Sequence, residues 1–190
     1  MPPESWQHAA HTILSGGIAV IPTDTLYGVL GSALNPTTVE RIYRLRERDA
    51  HKPLITLISD VTELKRSGID PNEAARVLLE RAWPGPVTVI LPCIDPALAY
   101  LHRGSGGMSF RLPAKPQLRG LLRQTRPLVA PSANPQGSEP ALTVAEARQY
   151  FGRRVDYYLD EGQLQGAPSA LVSLLGDEPR VLRPAPGFRL

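Results

Sequence analysis

Three polar segments of this 190-residue chain carry side chains that could hold a small charged ligand. One is the Thr-Asp-Thr turn at 23–25, and another is the Ser-Ala-Asn sequence at 132–134. The third is the stretch 41–52, where four arginines fall within eight residues and a lysine follows. Ligands of α/β proteins collect at the carboxyl ends of strands, and the first two segments follow apolar runs typical of buried strands. These segments are therefore the candidates for the chemistry of the chain.

The segment 22–28 has two interpretations. It is a turn in which threonine and aspartate side chains satisfy local backbone groups, as such residues commonly do. It is also a small polar pocket, because Thr25 offers a donor and an acceptor, Tyr27 adds a hydroxyl on a rigid ring, and Gly28 permits close backbone approach. The turn alone would explain the pattern, whereas the pocket predicts a small zwitterion as ligand.

The arginine-rich stretch also has two interpretations. Apolar spacing predicts a helix that begins at Pro36 and is broken at Lys52-Pro53, with a cationic far end. The cations are Arg44, Arg46, Arg48 and Lys52. Such a run is usually a solvated helix face. With few carboxylates beside them, however, the guanidinium groups would repel one another unless a polyanion relieves the field, and a nucleotide triphosphate or a tRNA backbone would serve.

The Ser-Ala-Asn sequence lies between two prolines. It is either a strand exit capped by serine and asparagine, or a loop that presents Ser132 and Asn134 to phosphate or ribose. The flanking prolines would hold such a loop open at little entropic cost.

Strands and helices interleave along the chain without a repeat or a low-complexity linker. The length and the 42% hydrophobic content suit one domain, which we assign to 4–190. Predicted helices cover 4–14, the stretch from 36 to the break at 52–53, 72–82, 117–123 and 144–151. Predicted strands cover 18–21, 54–58, 87–91, 109–112, 128–130, 157–159, 170–174 and 180–182. The pattern predicts a single α/β sheet with helical cover and leaves the strand order open.

Missing motifs exclude several chemistries. The sequence contains no Gly-x-x-x-x-Gly-Lys-Ser/Thr phosphate loop, no Gly-x-Ser-x-Gly elbow and no His-Glu-x-x-His zinc helix. Cys93 is the only cysteine, so an internal disulfide and a zinc site of several thiolates are excluded, and we expect it to be a packing residue. His8 and His11 are predicted to lie at the surface.

The first 17 residues indicate where the protein is located, and its net charge indicates which ligands it favours. The stretch 1–17 contains Glu4 and two histidines and has no uninterrupted apolar run, so it is predicted to be neither a signal peptide nor a membrane span. We therefore expect a cytoplasmic protein without membrane contact. The net charge of +3 is carried largely by arginine, which favours anionic ligands.

Six ordered segments resemble those of the YrdC-like threonylcarbamoyl-adenylate synthases, which supply the first step of threonylcarbamoyl-adenosine modification of tRNA. They are 16–28, 42–54, Trp-Pro-Gly-Pro-Val-Thr at 83–88, Phe-Arg-Leu-Pro at 110–113, 130–134 and Val-Leu-Arg-Pro at 181–184. The resemblance spans nearly the whole chain. It implies a single-domain, twisted, mixed sheet flanked by helices, with a basic concave cleft.

The resemblance also implies roles for individual residues. The implied threonine site comprises Thr25, Tyr27, Arg111, Ala130 and Ser169. The implied ATP site comprises Arg46, Arg48, Lys52, Ser132, Asn134 and Arg183. Arg46 and Arg48 would also be catalytic because they neutralise charge on the phosphates. Arg111 would face the threonine carboxylate, for which a guanidinium is a well-matched donor.

The implied reaction has no covalent enzyme intermediate. The threonine amine takes up carbon dioxide equivalents from bicarbonate as a carbamate, whose oxygen attacks the α-phosphorus of ATP and expels pyrophosphate. Magnesium would bridge the triphosphate, and since it keeps several waters it needs no carboxylate cage, so no metal ligands are named. Further implied partners are tRNA and the proteins that transfer the threonylcarbamoyl group.

The chain departs from the family pattern at Arg46, where lysine is common, at Glu47, where glycine is frequent, and at Ala170, where threonine is common. Two other functions stay open. An RNA-binding protein of this fold would dock tRNA on the basic cluster without catalysis, but it has no need of a threonine pocket. Carbamoyl transfer occurs in larger hydrogenase-maturation proteins with such a domain, whose zinc fingers a single cysteine cannot build.

Overall fold

The computed structural model describes residues 4–190; Met1–Pro3, with the prediction made for their part of the stretch 1–17, lie outside it. The helices are α1 Glu4–Leu14, α2 Pro36–Leu45, α3 Thr62–Arg66, α4 Glu73–Ala82, α5 Ala99–His102, α6 Pro116–Thr125 and α7 Val144–Phe151. The strands are β1 Ala19–Pro22, β2 Tyr27–Ser32, β3 Ile55–Leu57, β4 Val87–Pro92, β5 Gly107–Arg111, β6 Leu128–Val129, β7 Tyr157–Tyr158, β8 Ala170–Ser173 and β9 Arg180–Arg183. Short 3-10 turns cover Pro96–Leu98 and Gly152–Arg154. Within residues 4–190, no helix is both long and apolar enough to cross a membrane.

All nine strands form one mixed sheet in the order β7-β1-β2-β6-β3-β5-β4-β8-β9. The pairs β1–β7, β3–β5 and β4–β8 are parallel, and the remaining neighbours are antiparallel. The predicted mixed sheet flanked by helices is therefore confirmed. Strands β2 and β6, which are far apart in sequence, are neighbours, so the turn before β2 and the loop after β6 lie side by side.

Helices cover both faces of the sheet, which explains why β1 is apolar at every position. Ala19 and Ile21 pack with α1 and α6 on one face, while Ile18 and Val20 belong to the larger core on the other face. This alternation is the period of two expected of a strand. Cys93 is buried as a free cysteine, and His8 and His11 are exposed, as predicted.

Several local predictions were wrong, and the short helices α3 and α5 were not predicted. The strand β2 was not predicted, because glycines and a polar turn interrupt its apolar pattern. Helix α2 does not run to Lys52-Pro53 but ends at Leu45, so Arg48 lies outside it. The cause is Glu47, which has a left-handed φ of 51° and turns the chain away from the helix axis.

Candidate active site

The turn between β1 and β2 is held in shape by Thr23. Its hydroxyl accepts hydrogen bonds from the backbone amides of Thr25 and Leu26, at 3.1 and 3.2 Å, and donates to the Leu26 carbonyl at 2.7 Å. The interpretation of this segment as a turn with local hydrogen bonds is thus correct. The same turn fixes the Thr25 hydroxyl beside the end of β5.

Arg111, the last residue of β5, meets this turn with two of its three guanidinium nitrogens. Its Nη1 donates to Thr25 Oγ1 at 2.9 Å, and its Nη2 lies 3.2 Å from Asp24 Oδ1 in an ion pair whose side chains are 5% and 9% exposed. The other Asp24 oxygen accepts the backbone amide of Ala114 at 3.0 Å. Burial lowers the pKa of Arg111, and the Asp24 carboxylate partly offsets that shift. The Nε of Arg111 is buried and has no hydrogen-bond partner in residues 4–190.

Ser169 and Arg183 approach from the other side, at the start of β8 and the end of β9. Ser169 Oγ lies 2.8 Å from the hydroxyl of the fully buried Thr88, and Arg183 Nε donates to the Ser169 carbonyl at 2.8 Å. Burial lowers the pKa of Arg183. This contact brings a second guanidinium to the cleft and sets the orientation of the serine.

These groups line one cavity of about 140 Å³. Of the residues assigned above to threonine or ATP, the structure brings together Thr25, Tyr27, Arg111, Ala130, Ser132, Ser169 and Arg183 around it. Ser132 reaches the cavity because Gly28 pairs with it in an isolated antiparallel bridge. A pocket of this size and polarity accommodates a small molecule with both charged and hydroxyl groups.

The Tyr27 hydroxyl was expected to face a ligand, but it is hydrogen-bonded to the backbone of residues 161 and 162. It donates to the Gly162 carbonyl at 2.7 Å and accepts the backbone amide of Glu161 at 3.1 Å. Burial raises its pKa. The hydroxyl therefore anchors the loop after β7, and Tyr27 contributes to the cavity without a free hydroxyl.

Arg46 lies behind Ser132 and is 3% exposed. Its Nε donates to the Asn134 carbonyl at 2.9 Å, and its Nη2 lies 3.3 Å from Ser132 Oγ and 3.4 Å from Asn134 Oδ1. No carboxylate of the described residues lies within 4.0 Å of it, and its Nη1 is buried without a partner. Burial, with a smaller contribution from Arg48, lowers the pKa of Arg46 to about 10.

Arg48 and Lys52 lie beyond the left-handed turn at Glu47. Arg48 donates to the carbonyls of Lys52 and Pro53 at 3.0 and 2.9 Å, and burial lowers its pKa, with Arg183 adding to the shift. The Lys52 side chain is 60% exposed and lies 3.9 Å from Asp49. Arg48 is thus held by the backbone that follows it, and neither Arg48 nor Lys52 lines the cavity. The left-handed backbone also explains why glycine suits position 47, since a side chain there costs about 1–2 kcal/mol.

Sequence reasoning missed two parts of the site. One is Asp24 as the partner of Arg111, since nothing in the sequence links positions so far apart. The other is the irregular segment 160–168, whose Pro168 lines the cavity and whose Gly166 packs on the turn. A Cβ atom at Gly166 would lie 1.7 Å from the Thr25 carbonyl oxygen, so only glycine fits. The glycines and the absence of any period in 160–168 were the available signals.

With this geometry in hand, the chain can be compared with known proteins. The model of the Sua5_yciO_yrdC family, described as "Telomere recombination", matches residues 11–185. The chain belongs to the Sua5/YciO/YrdC family. The matched range contains every residue that lines the cavity.

Two relatives and one solved structure match most of this chain, but this chain covers different shares of their own lengths. The threonylcarbamoyl-AMP synthase of Idiomarina loihiensis is 34% identical over 92% of this chain and 96% of that protein. The synthase of the same name from Bacillus subtilis is 35% identical over 93% of this chain and 52% of that protein. The crystal structure of Pyrococcus abyssi Sua5 complexed with L-threonine superposes with a TM-score of 0.88 at 30% identity, over 94% of this chain and 53% of that one. The chain therefore spans about half the length of the latter two proteins.

Proposed function

We propose that the chain is an L-threonylcarbamoyladenylate synthase, a nucleotidyltransferase whose residues 4–190 form one catalytic domain. It converts L-threonine, bicarbonate and ATP into threonylcarbamoyl-AMP, pyrophosphate and water. The names of the relatives and the threonine complex of Sua5 support this proposal. The observation that carries it is one cavity lined by the hydroxyls of Thr25, Ser132 and Ser169 and by the guanidinium groups of Arg111 and Arg183.

Threonine fits the half of the cleft that contains Arg111. Arg111 lines this half, and its guanidinium supplies the positive charge that a carboxylate requires, while Asp24 and Thr25 hold it in place. The hydroxyl oxygens of Thr25 and Ser169, which already bond Arg111 and Thr88, lie in the wall of this half and face the polar groups of the substrate. The Tyr27 ring and Ala130 complete the walls of this half.

We place the phosphates of ATP beside Ser132, at the edge of the cavity, because its hydroxyl and the neighbouring guanidinium groups suit phosphate oxygens. Arg46, which is buried behind Ser132, and Arg48 and Arg183 add positive charge to this half. Asn134 shapes the loop through its contacts with Arg46, and Lys52 reaches the triphosphate from the rim.

ATP enters as its magnesium complex. Residues 4–190 contain no cluster of three His, Cys, Asp or Glu side chains that could hold a metal ion, and the donors in this half are cationic. The protein groups therefore face the phosphate oxygens, while magnesium is carried by the triphosphate.

The contribution of the protein to the reaction is positioning and charge neutralisation. A carbamate oxygen of N-carboxylated threonine forms a bond to the α-phosphorus, and the bond to the pyrophosphate oxygen breaks. Arg46 and Arg48 stabilise the negative charge that develops on the phosphates. Burial of Arg46 strengthens this effect, since an uncompensated charge in a water-poor site acts strongly on a nearby anion.

The product is a reactive mixed anhydride, which implies proteins that transfer the threonylcarbamoyl group to tRNA. We place the enzyme in the cytoplasm on this ground. The alternative function is an RNA-binding protein without synthase activity. Exposed arginines of α2 and of the 3-10 turn at 152–154 favour it as a second candidate.

The test is turnover. Purified protein is incubated with ATP, magnesium and bicarbonate, with L-threonine or L-serine, while pyrophosphate release and the adenylate mass are recorded. We expect pyrophosphate and the threonylcarbamoyl-AMP mass only with threonine. Folded protein that releases no threonine-dependent pyrophosphate would contradict the synthase and leave the RNA-binding function.

A further inference from the structure

Tyr43, in the last turn of α2, is hydrogen-bonded at both ends to the segment that carries Arg48. Its backbone carbonyl accepts the amide of Arg48 at 3.0 Å, and its hydroxyl donates to the carbonyl of Lys52 at 3.1 Å. Tyr43 is buried, with 4% of its surface exposed. The segment 46–53 therefore leaves the helix along a path that this one residue holds at two points.

The carbonyl of Lys52 is shared by two donors. Besides the Tyr43 hydroxyl, it accepts Nε of Arg48 at 3.0 Å, while Nη2 of Arg48 donates to the carbonyl of Pro53 at 2.9 Å. A carbonyl oxygen has two lone pairs, so both bonds to Lys52 form at once. The third nitrogen of Arg48, Nη1, makes no hydrogen bond within residues 4–190 and is accessible to solvent. Tyr43 thus fixes the acceptor that orients the Arg48 guanidinium.

The ring of Tyr43 is itself held in place. The guanidinium carbon of Arg103 lies 4.1 Å from the ring centroid, and Arg103 is in turn paired with Glu40 of the same helix α2. A cation over the face of a ring is attracted by the quadrupole of the ring. Burial raises the pKa of the Tyr43 hydroxyl, so the hydroxyl stays protonated and remains a donor at neutral pH.

Arg48 does not line the cavity, but it lies close to two cations that border it. Arg183 lines the cavity, and Arg46 lies 3.3 Å from the hydroxyl of Ser132, which also lines it. The charge of Arg183 adds to burial in lowering the pKa of Arg48, and the charge of Arg48 adds to burial in lowering the pKa of Arg46. A phosphate beside Ser132 is therefore in the field of all three guanidinium groups. How closely Arg48 meets that phosphate depends on how its guanidinium is oriented.

We propose that Tyr43 is a positioning residue for Arg48 in the synthase reaction. Its hydroxyl holds the Lys52 carbonyl, which keeps the Arg48 guanidinium in the orientation in which Nη1 binds a phosphate oxygen. This proposal rests on the proposed function, because Tyr43 acts on the reaction only through Arg48. Interactions that strengthen as charge develops on the phosphates affect kcat rather than KM. Loss of the hydroxyl should therefore slow turnover more than it weakens the binding of MgATP.

The test compares Tyr43→Phe with Tyr100→Phe by steady-state pyrophosphate release at varied MgATP and threonine. Tyr100 provides the matched control, because its hydroxyl also donates to one backbone carbonyl, that of Ala33, at 2.9 Å. We expect Tyr43→Phe to lower kcat about fivefold to tenfold and to change both KM values less than about threefold. Tyr100→Phe should keep wild-type kinetics. Denaturant unfolding should show a similar loss of stability in both variants.

A double-mutant cycle with Arg48→Ala distinguishes positioning of Arg48 from a general effect on the fold. Single-turnover rates are compared for Arg48→Ala and Tyr43→Phe/Arg48→Ala, with enzyme in excess so that slow variants remain measurable. Once the guanidinium is gone, the exchange of Tyr43 should change the rate less than about twofold, because the two residues act as one unit.

Two results would overturn the positioning role and leave the synthase function intact. One is a kcat of Tyr43→Phe equal to that of Tyr100→Phe, and the other is a Tyr43→Phe exchange that slows Arg48→Ala as much as it slows wild type. A folded wild type that releases no threonine-dependent pyrophosphate would instead contradict the proposed function, and the positioning role with it.

Discussion

The two halves of the cleft handle buried arginine in opposite ways. Arg111 has a carboxylate partner, Asp24, that is itself held by the Ala114 amide. Arg46 is as deeply buried but contacts only carbonyl, amide and hydroxyl oxygens around Ser132 and Asn134. The charge of Arg111 is therefore balanced before ligand arrives, whereas the charge of Arg46 is left for a polyanion to relieve.

Because of this difference, loss of Arg111 and loss of Arg46 should have different effects on the stability of the fold. Breaking a buried ion pair leaves an uncompensated charge, so it is costly to the fold. Removing a buried charge that has no counter-ion also removes its desolvation cost, so the fold loses little. Arg111 is thus expected to contribute to both stability and threonine binding, whereas Arg46 is expected to contribute chiefly to ATP binding.

The largest effect is expected for Arg111→Ala. The free energy of unfolding should fall by about 3 kcal/mol, because Asp24 is left buried and unpaired. The threonine KM should rise about 10–100-fold, the range for a lost charge-assisted hydrogen bond. Denaturant unfolding and pyrophosphate kinetics measure the two effects.

Its control is the double variant Arg111→Ala/Asp24→Asn. Neutralising Asp24 should restore most of the stability and none of the threonine KM. Recovery of both would show that Arg111 acts only through the fold.

Arg46→Met sharpens the contrast. The ATP KM should rise about tenfold or more, since a charge-assisted contact to phosphate is lost. The free energy of unfolding should change by less than about 1 kcal/mol, because the lost hydrogen bonds are offset by the removed desolvation cost. Arg46→Lys, with charge kept, should retain most of the ATP affinity. A Met variant as unstable as Arg111→Ala would refute the comparison.

A smaller effect is expected for Ser132→Ala, which removes one neutral hydroxyl between the halves. The ATP KM should rise about threefold to tenfold, in line with about 0.5–1.5 kcal/mol for one hydrogen bond. The threonine KM serves as the internal control and should stay the same. A change confined to threonine would move Ser132 to the other half.

The smallest effect on catalysis is expected for Tyr27→Phe. Its hydroxyl bonds the 160–162 loop, so the free energy of unfolding should fall by about 1–2 kcal/mol. The threonine KM should change by less than about threefold, which is under 1 kcal/mol. A large increase in the threonine KM without loss of stability would assign the hydroxyl to the substrate.

The sequence predicted those elements whose local pattern agrees with the fold. Continuous apolar runs marked β1, β3 and β4, and α2 was found from its Asn35-Pro36 start, where Asn35 caps the first turn. Strand β2 was missed for a tertiary reason. A Cβ atom at Gly31 would lie 2.5 Å from Thr38, so the glycine that weakens the strand pattern is there to let α2 pack closely.

In the candidate site, the sequence predicted which residues take part but not which side chains they contact. The residue pattern singled out Thr25 and Ser132, the family resemblance added Arg111, and the structure brings all three to one cavity. It gave no indication that Arg46 would be buried without a carboxylate or that Arg44 would face away from it. Such differences depend on where α2 ends, which the left-handed Glu47 decides.

The most direct test of the two-half cleft is calorimetric titration of threonine and of MgATP, separately, into wild type, Arg111→Lys and Arg46→Met. We predict a crossed result in which Arg111→Lys weakens only threonine and Arg46→Met weakens only ATP. If both variants weaken both ligands equally, the cleft is a single undivided site and this account of it is wrong.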